Sequence, residues 1–315
     1  MKKNLIVAVT LLMASFTQMQ AQEFQGMAVY ESKTSTADFK TQMSGNKDMN
    51  PDMMKMMEER MKKMFEKTFI LNFNKSASIY KEEEKLDAPG QQGGGMRIMS
   101  SIMGGGGTNY KNVKDKSYTV DKEFMGKEFL VKDSLPTYNW KLEGETKQIG
   151  GYTCYKATAI RPVNKSDFRN FRPKKQEEKK EDSSPTGEQA KQTTKDGVKT
   201  EEKVKTTNFM DDFDVPTEIT VTAWYTPEIP VNQGPENYWG LPGLILEVGD
   251  GKTVILCSKV VLNAKEKVEI KASTNGKVIS QKDYDDTVIK KMEEFRQMNQ
   301  GQGRGNGGMQ MRIGG

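Results

Sequence analysis

No histidine occurs in the 315 residues. Without an imidazole there is no Ser-His or Cys-His catalytic pair and no His-ligated metal centre. Apolar residues are also scarce, at 35% against 29% charged. That is low for a compact domain, and it reads as a modest core diluted by solvated insertions. Beyond the first residues, no run is apolar for long enough to span a bilayer. Nothing matches a nucleophile elbow, a P-loop or a dinucleotide fingerprint. The glycines at 93–95 and 104–107 lack the lysine and helix of a phosphate cradle. An excess of charge is missing too. The formal balance is +5 with both signs interleaved, the pattern of a solvated surface rather than of a polyanion partner. Nucleic-acid binding therefore has little support.

What the sequence does have begins with residues 1–21. Lys2 and Lys3 precede an apolar run from Leu5 to Phe16, and a small residue, Ala21, stands where a signal peptidase cuts. This reads as a secretory signal peptide. Its removal takes two lysines and leaves the mature chain near +3. No cysteine follows the apolar run, as a lipoprotein anchor would need. The expectation is an exported protein without a transmembrane segment, in the periplasm, at the outer membrane or secreted.

Residues 22–275 read as one antiparallel β domain. Strand-like pieces recur in "GMAVYESKT", "FILNFNKSASIYKEE", "YKNVKDKSYTVDK", "EFLVKDS", "YNWKLEG", "GYTCYKATAI", "PTEITVTAWYTPEIP", "LILEVGD", "TVILCSKVVL" and "EKVEIKA", separated by polar or glycine-bearing turns. The expected fold class is mainly β: a curved antiparallel sheet or open barrel-like meander with two amphipathic helices and disordered insertions. One helix is expected over 51–66, with Asn50 as N-cap and Pro51 in the first turn. Met53, Met57, Met61 and Met64 or Phe65 recur on one face. The second is expected from about Asp286 to Met298 within the segment 276–315, capped by Asp285 or Asp286 and carrying Val288, Ile289, Met292 and Phe295 on one face. Low-complexity glycine and methionine at 88–108 read as a flexible loop. The charged stretch at 165–210 reads as a disordered one.

"WGLPGLILEV", Trp239 to Val248, sets a stiff corner before an apolar strand. Pro242 followed by Gly243 fits a type II turn, in which proline presets φ and glycine accepts a positive φ. Gly240 permits a close backbone approach. Either this corner only sets the strand's register, or Tyr238, Trp239 and Leu241 form an exposed apolar rim for a partner, with Met64 and the helix face beside it.

These residues resemble the GLPGLI family, the Porphyromonas gingivalis-type exported proteins of the Bacteroidota. Gly240, Leu241, Pro242, Gly243, Leu244 and Ile245 are its namesake motif. The likeness extends to Trp140, Ile149, Gly150, Gly151, Tyr152, Cys154, Lys156 and Ala157. It implies a Gram-negative envelope protein and carries no known activity.

Cys154 and Cys257 lie on separate predicted strands; they are either a disulfide of an oxidising compartment or two buried thiols packing as small apolar groups. The 21 methionines are either adaptable apolar filler or, at Met53, Met57 and Met61, soft ligands for Cu(I). Glu228, Glu236 and Asp250 flank the motif; they are the carboxylates a hydrolase would use, or surface and turn residues. No cofactor is implied. The reading is an exported, non-catalytic envelope protein that binds a protein partner or an apolar ligand.

Overall fold

The structure is a computed structural model, and it describes residues 24–37, 50–83, 107–167, 172–173, 213–264 and 266–302. The expected signal peptide, almost all of the glycine and methionine loop at 88–108, most of the charged stretch and the end of the tail lie outside these residues. The elements in chain order are β1 (Gln25–Thr34), α1 (Pro51–Phe65), β2 (Glu66–Asn74), β3 (Ala77–Glu82), β4 (Thr108–Asn112), β5 (Ser117–Phe124) and β6 (Lys127–Ser134). There follow β7 (Lys141–Ile149), β8 (Tyr152–Pro162), β9 (Arg172–Pro173), β10 (Phe213–Asp214), β11 (Glu218–Thr226), β12 (Leu244–Gly249), β13 (Thr253–Leu262), β14 (Lys277–Ile279) and α2 (Gln281–Gln302).

Twelve strands make one sheet in the order β14-β6-β5-β4-β3-β2-β1-β13-β12-β11-β8-β7. Every pairing in it is antiparallel except the short β14 against β6. Tight turns account for most of the connections. Asn74 closes β2 to β3 by accepting from the backbone N–H of Ser76 and Ala77 at 2.8 and 2.7 Å. Asp250 does the same between β12 and β13, accepting from Lys252 and Thr253. These are side-chain turns that only a short carboxyl or amide residue makes.

The fold class is the expected one, a mainly β curved sheet that does not close among the described residues. Its curvature follows from one residue. The carbonyl of Tyr238 accepts from Lys111 on β4, and its hydroxyl accepts from Arg161 on β8. Those strands stand seven positions apart in the sheet, about 34 Å if it were flat. Both reach one tyrosine because the sheet curls around it.

Two buried cores result. The larger joins Tyr30, Leu71, Phe73 and Tyr80 of β1 to β3 with Val221, Ala223, Leu244, Leu246, Val248 and Ile255 from the far side. It also takes in Ile229, Val231, Tyr238 and Leu241 from the loop between β11 and β12. The smaller packs Tyr118, Phe124, Phe129, Val131 and Leu135 against Tyr284 and Val288 of α2.

Both helices are present, and both depart from the pattern in detail. In α1 the side chain of Asn50 accepts from Asp52 N at 3.0 Å, with Pro51 in the first turn. No described side chain of α1 is fully buried, so the helix stands against the sheet only loosely. α2 starts five residues earlier than the sequence suggests. Ser280 caps it by accepting at its hydroxyl from Asp283 N, and the same hydroxyl donates to the Asp283 carboxylate, which is the serine half of a Ser-x-x-acid cap. The face it buries is Tyr284, Val288 and Met292, while Phe295 is 48% exposed.

The corner corrects the turn assignment. Gly240 has the positive φ, at 93°, and Gly243 does not. Leu244 N donates across to the Ile229 carbonyl at 3.0 Å instead of closing a turn on Leu241. Gly243 is required for another reason: a Cβ there would lie 2.1 Å from the carbonyl oxygen of Thr226 and 2.9 Å from Pro227 N. At Gly240 the nearest atom to such a Cβ is 3.7 Å away. The two glycines thus exchange the roles their positions suggest. Gly243→Ala must push backbone apart and should cost about 3 kcal/mol or more. Gly240→Ala meets only the φ penalty, about 1–2 kcal/mol. Urea unfolding of the two variants checks the order, and equal losses would contradict it.

Candidate functional site

Tyr238 and Leu241 do not form a rim. They are 5% and 1% exposed and belong to the larger core. Trp239 is half-buried and packs on the smaller core. Consecutive side chains, Tyr238 and Trp239, therefore enter different cores, and the peptide between them bridges the two. Pro242 follows in the corner, and Leu244 and Ile245 are both fully buried. The side chain of Met64 lies outside the described residues.

The loop from Pro227 to Gly243 fills the hollow of the sheet, and polar contacts hold it there. Lys111 is 1% exposed. Its ammonium donates to the carbonyls of Gly234 (2.8 Å), Glu236 (3.2 Å) and Tyr238 (2.7 Å). An ammonium has three protons, and here each finds a carbonyl. Burial pulls the Lys111 pKa down to about 7, against the opposing pull of the Glu236 charge. Gln233 is fully buried; its side-chain oxygen accepts from Ser78 Oγ at 3.0 Å, and its carbonyl accepts from Ile245 N. Tyr30 donates its hydroxyl to the Ile245 carbonyl at 2.6 Å. Glu236 itself sits at φ 45°, a left-handed conformation uncommon outside glycine. That twist turns successive carbonyls of the loop toward Lys111.

Aromatic rings complete the seat. Tyr138 stacks on Trp140 with centroids 5.1 Å apart and meets Tyr238 at 5.5 Å. The indoles work as donors: Trp140 to the Trp239 carbonyl at 2.9 Å and Trp239 to the Pro136 carbonyl at 2.8 Å. Arg161 donates through Nε to the Tyr238 hydroxyl at 3.3 Å. Its Nη2 lies 3.7 Å from Asp250 and 3.9 Å from Asp167. Burial pushes the Tyr238 hydroxyl up to about 12, opposed by the Arg161 charge.

Two of the carboxylates flanking the motif, Glu228 and Asp250, accept from backbone N–H groups. Glu228 accepts from Thr153 N at 2.8 Å. Asp250 closes its hairpin, and Glu236 contributes a carbonyl to the lysine seat. Among the described residues, no group of three His, Cys, Asp or Glu side chains is arranged to hold a metal ion.

Cys154 and Cys257 are both buried and both free. Cys154 donates toward the Tyr152 carbonyl and Cys257 toward the Lys259 carbonyl. Burial pushes both thiols up to about 11. They are packed groups and not the disulfide that the sequence leaves open.

The outward face of the sheet is different. Trp224, Glu247 and Leu256 pair successively across β11, β12 and β13. Leu256 and Val254 are 39% and 44% exposed. Lys147 covers this row, with its ammonium 4.3 Å from the Trp224 ring centre and 2.6 Å from the Glu247 carboxylate. Sequence reasoning did not single out these residues. The available signal was the alternation in "TVILCSKVVL", which puts Val254 and Leu256 opposite in facing to Ile255 and Cys257.

Residues 140–247 match the model of a family described as a protein of unknown function, Porph_ging. Comparison with the curated proteins gives no match. Among solved structures, the chain is similar to one titled "Structure of PNGF-II in C2 space group", with a TM-score of 0.41 and 14% identity over 85% of this chain and 33% of that one. A second, the same protein in a P21 space group, has a TM-score of 0.42 and 14% identity, over 84% and 33%. The chain spans about a third of the length of those structures. No helix among the described residues is long and apolar enough to cross a membrane.

Lys111→Met strands three buried carbonyls, each worth about 1–3 kcal/mol when unpaired, and should lower stability by about 3 kcal/mol or more. The pH dependence has a definite sign. With its pKa depressed in the folded state, Lys111 binds its proton more weakly there than in the unfolded chain, so its contribution rises as pH climbs from about 7 toward 10. Urea unfolding at pH 7 and 9 should show the wild type gaining on Lys111→Met, and parallel changes would contradict it. A thiol reagent should find no reactive cysteine in the native protein and two in denaturant, with no reductant needed.

Proposed function

We propose, from the match of residues 140–247 to a family of unknown function and from the structure, that the protein is an exported, non-catalytic component of the cell envelope that binds a protein partner on the outer face of its sheet. The observation that carries this reading is the occupancy of the hollow. A carrier of an apolar ligand needs an open interior, and here the chain's own loop fills it with Ile229, Val231, Tyr238 and Leu241. The apolar surface offered to another molecule lies outside, at Trp224, Val254 and Leu256. An indole sheltered by a lysine stem, beside exposed aliphatics and framed by charged pairs, has the composition of a protein interface centre with a polar rim.

Export rests on the basic and apolar pattern of residues 1–21 and on the resemblance to an exported family. The same pattern supports the periplasm or the outer membrane as its place. The non-catalytic reading rests on where the flanking carboxylates are: Glu228 and Asp250 both accept from backbone N–H groups.

The test is chemical cross-linking in the native envelope followed by mass identification, for the wild type and for Val254→Lys with Leu256→Lys. Both positions already face solvent, so the melting temperature should stay within about 2 °C. A protein adduct lost in the double variant is the expected result. An adduct of unchanged yield, or lipid in place of protein, would overturn the reading.

A further inference from the structure

Among the described residues methionine, like tryptophan, stays out of the fully buried core. There are 21, yet among the described residues none is in the buried core, which is built of Leu, Ile, Val, Ala, Tyr, Phe and Cys. Met125 and Met292 still pack, partly buried, against the smaller core, whereas the methionines of α1 belong to neither core. The extreme case is α1. Its apolar residues are Met53, Met54, Met56, Met57, Met61, Met64 and Phe65, with no leucine, isoleucine or valine. Met53 is 52% exposed, Met56 is 45% exposed, and Met57 is half-buried. Leucine forms helices as well as methionine does. A requirement for helix or for apolar area would therefore be met by leucine at some of these positions. The property leucine lacks is the sulfur.

We propose that Met53, Met56 and Met57 form a three-thioether site for a soft monovalent ion, Cu(I). Met53 neighbours both Met56 at i+3 and Met57 at i+4 on the helix surface, with Cβ atoms about 5–6 Å apart, and the three lie within an arc of about 100° around the helix. Three flexible thioether arms can converge from there on one ion. Thioethers are soft ligands that favour Cu(I) over the hard divalent ions. The set differs from Met53, Met57 and Met61. Eight residues separate Met53 from Met61, about 12 Å along the helix axis. Within one turn, Met56 takes its place. The chain's two thiols, Cys154 and Cys257, are both buried. Burial keeps these thiols protonated, and a thiol must become a thiolate to ligate well. The exposed thioethers are left as the accessible sulfur.

The experiment is a titration of the full chain with Cu(I) under reductant, against a colorimetric Cu(I) chelator, for the wild type and for Met53→Leu/Met56→Leu/Met57→Leu. Leucine preserves helix propensity and apolar area and leaves the Trp224 row untouched, so this variant should keep its melting curve and any partner adduct. It should hold one Cu(I) fewer, or bind it at least tenfold more weakly. Adding Ag(I), a soft ion that does not change oxidation state, should shift the methyl resonances of these three methionines in the wild type. Equal Cu(I) retention by variant and wild type would overturn the proposal, as would complete loss of copper to the chelator from both.

Discussion

One buried ammonium holds the fold's interior loop in place. Lys111 reaches from β4 into the hollow of the sheet and donates to three carbonyls of the loop that precedes the Gly-Leu-Pro-Gly corner. A buried charge costs several kcal/mol unless its hydrogen bonds are satisfied. Here satisfaction requires Gly234, Glu236 and Tyr238 to present their carbonyls to one point. The cost of burying the lysine and the conformation of the loop are therefore coupled. A displaced loop strands the ammonium, and a displaced lysine strands three carbonyls. This explains the left-handed Glu236, since an extended residue there would carry its carbonyl away.

From that loop the rest follows by contact. Tyr238 enters the larger core and Trp239 the smaller, so any movement of one core relative to the other must strain the peptide between them. The Trp140 indole fixes the Trp239 carbonyl, and the Trp239 indole fixes Pro136. Strands β4 and β8, far apart in sheet order, are drawn to one tyrosine. The curl of the sheet is thus set by polar contacts to the loop as well as by strand twist. Only after these anchors does the chain turn at Gly243, against Thr226, to begin β12.

Most strands and both helices are legible because their signals are local, but "EKVEIKA", which alternates like a strand, forms none, and "YKNVKDKSYTVDK" divides into β4 and β5 around a turn. Asn50 and Pro51 mark the start of α1, Asn74 marks a turn, and Gly249-Asp250-Gly251 marks a hairpin. The start of α2 was misplaced because two acidic residues beside Thr287 resemble a cap more than Ser280 does, although the Ser280 and Asp283 pair is the one used. The corner was legible as a corner and not as to mechanism. A Pro-Gly pair suggests positive φ at the glycine, but Gly243 is demanded by the backbone of Thr226, far away in sequence. Lys111 could not be found in the sequence at all. In "YKNVKDK" it is one lysine among three, and its acceptors are backbone carbonyls, which have no residue type. Tyr238 and Leu241 invited a surface reading because apolar residues in loops are often exposed. Here the loop is itself core.

That inversion bears on function. A loop rich in Trp, Tyr, Leu and Pro beside a named motif looks like a binding element, yet its residues are consumed in stabilising the sheet that carries them. Exposed apolar side chains lie elsewhere, among them Val254 and Leu256 on the outer face beside the partly buried Trp224, and Met53 and Met56 on α1. An interior closed by its own chain can be rigid without a ligand. Rigidity of that kind suits a surface that must be preformed to bind, because little ordering entropy remains to be lost on association. Under the proposed reading the motif has an indirect part in recognition: it holds β11, β12 and β13 together at Gly243 and Leu244, and through them the side chains they present outward.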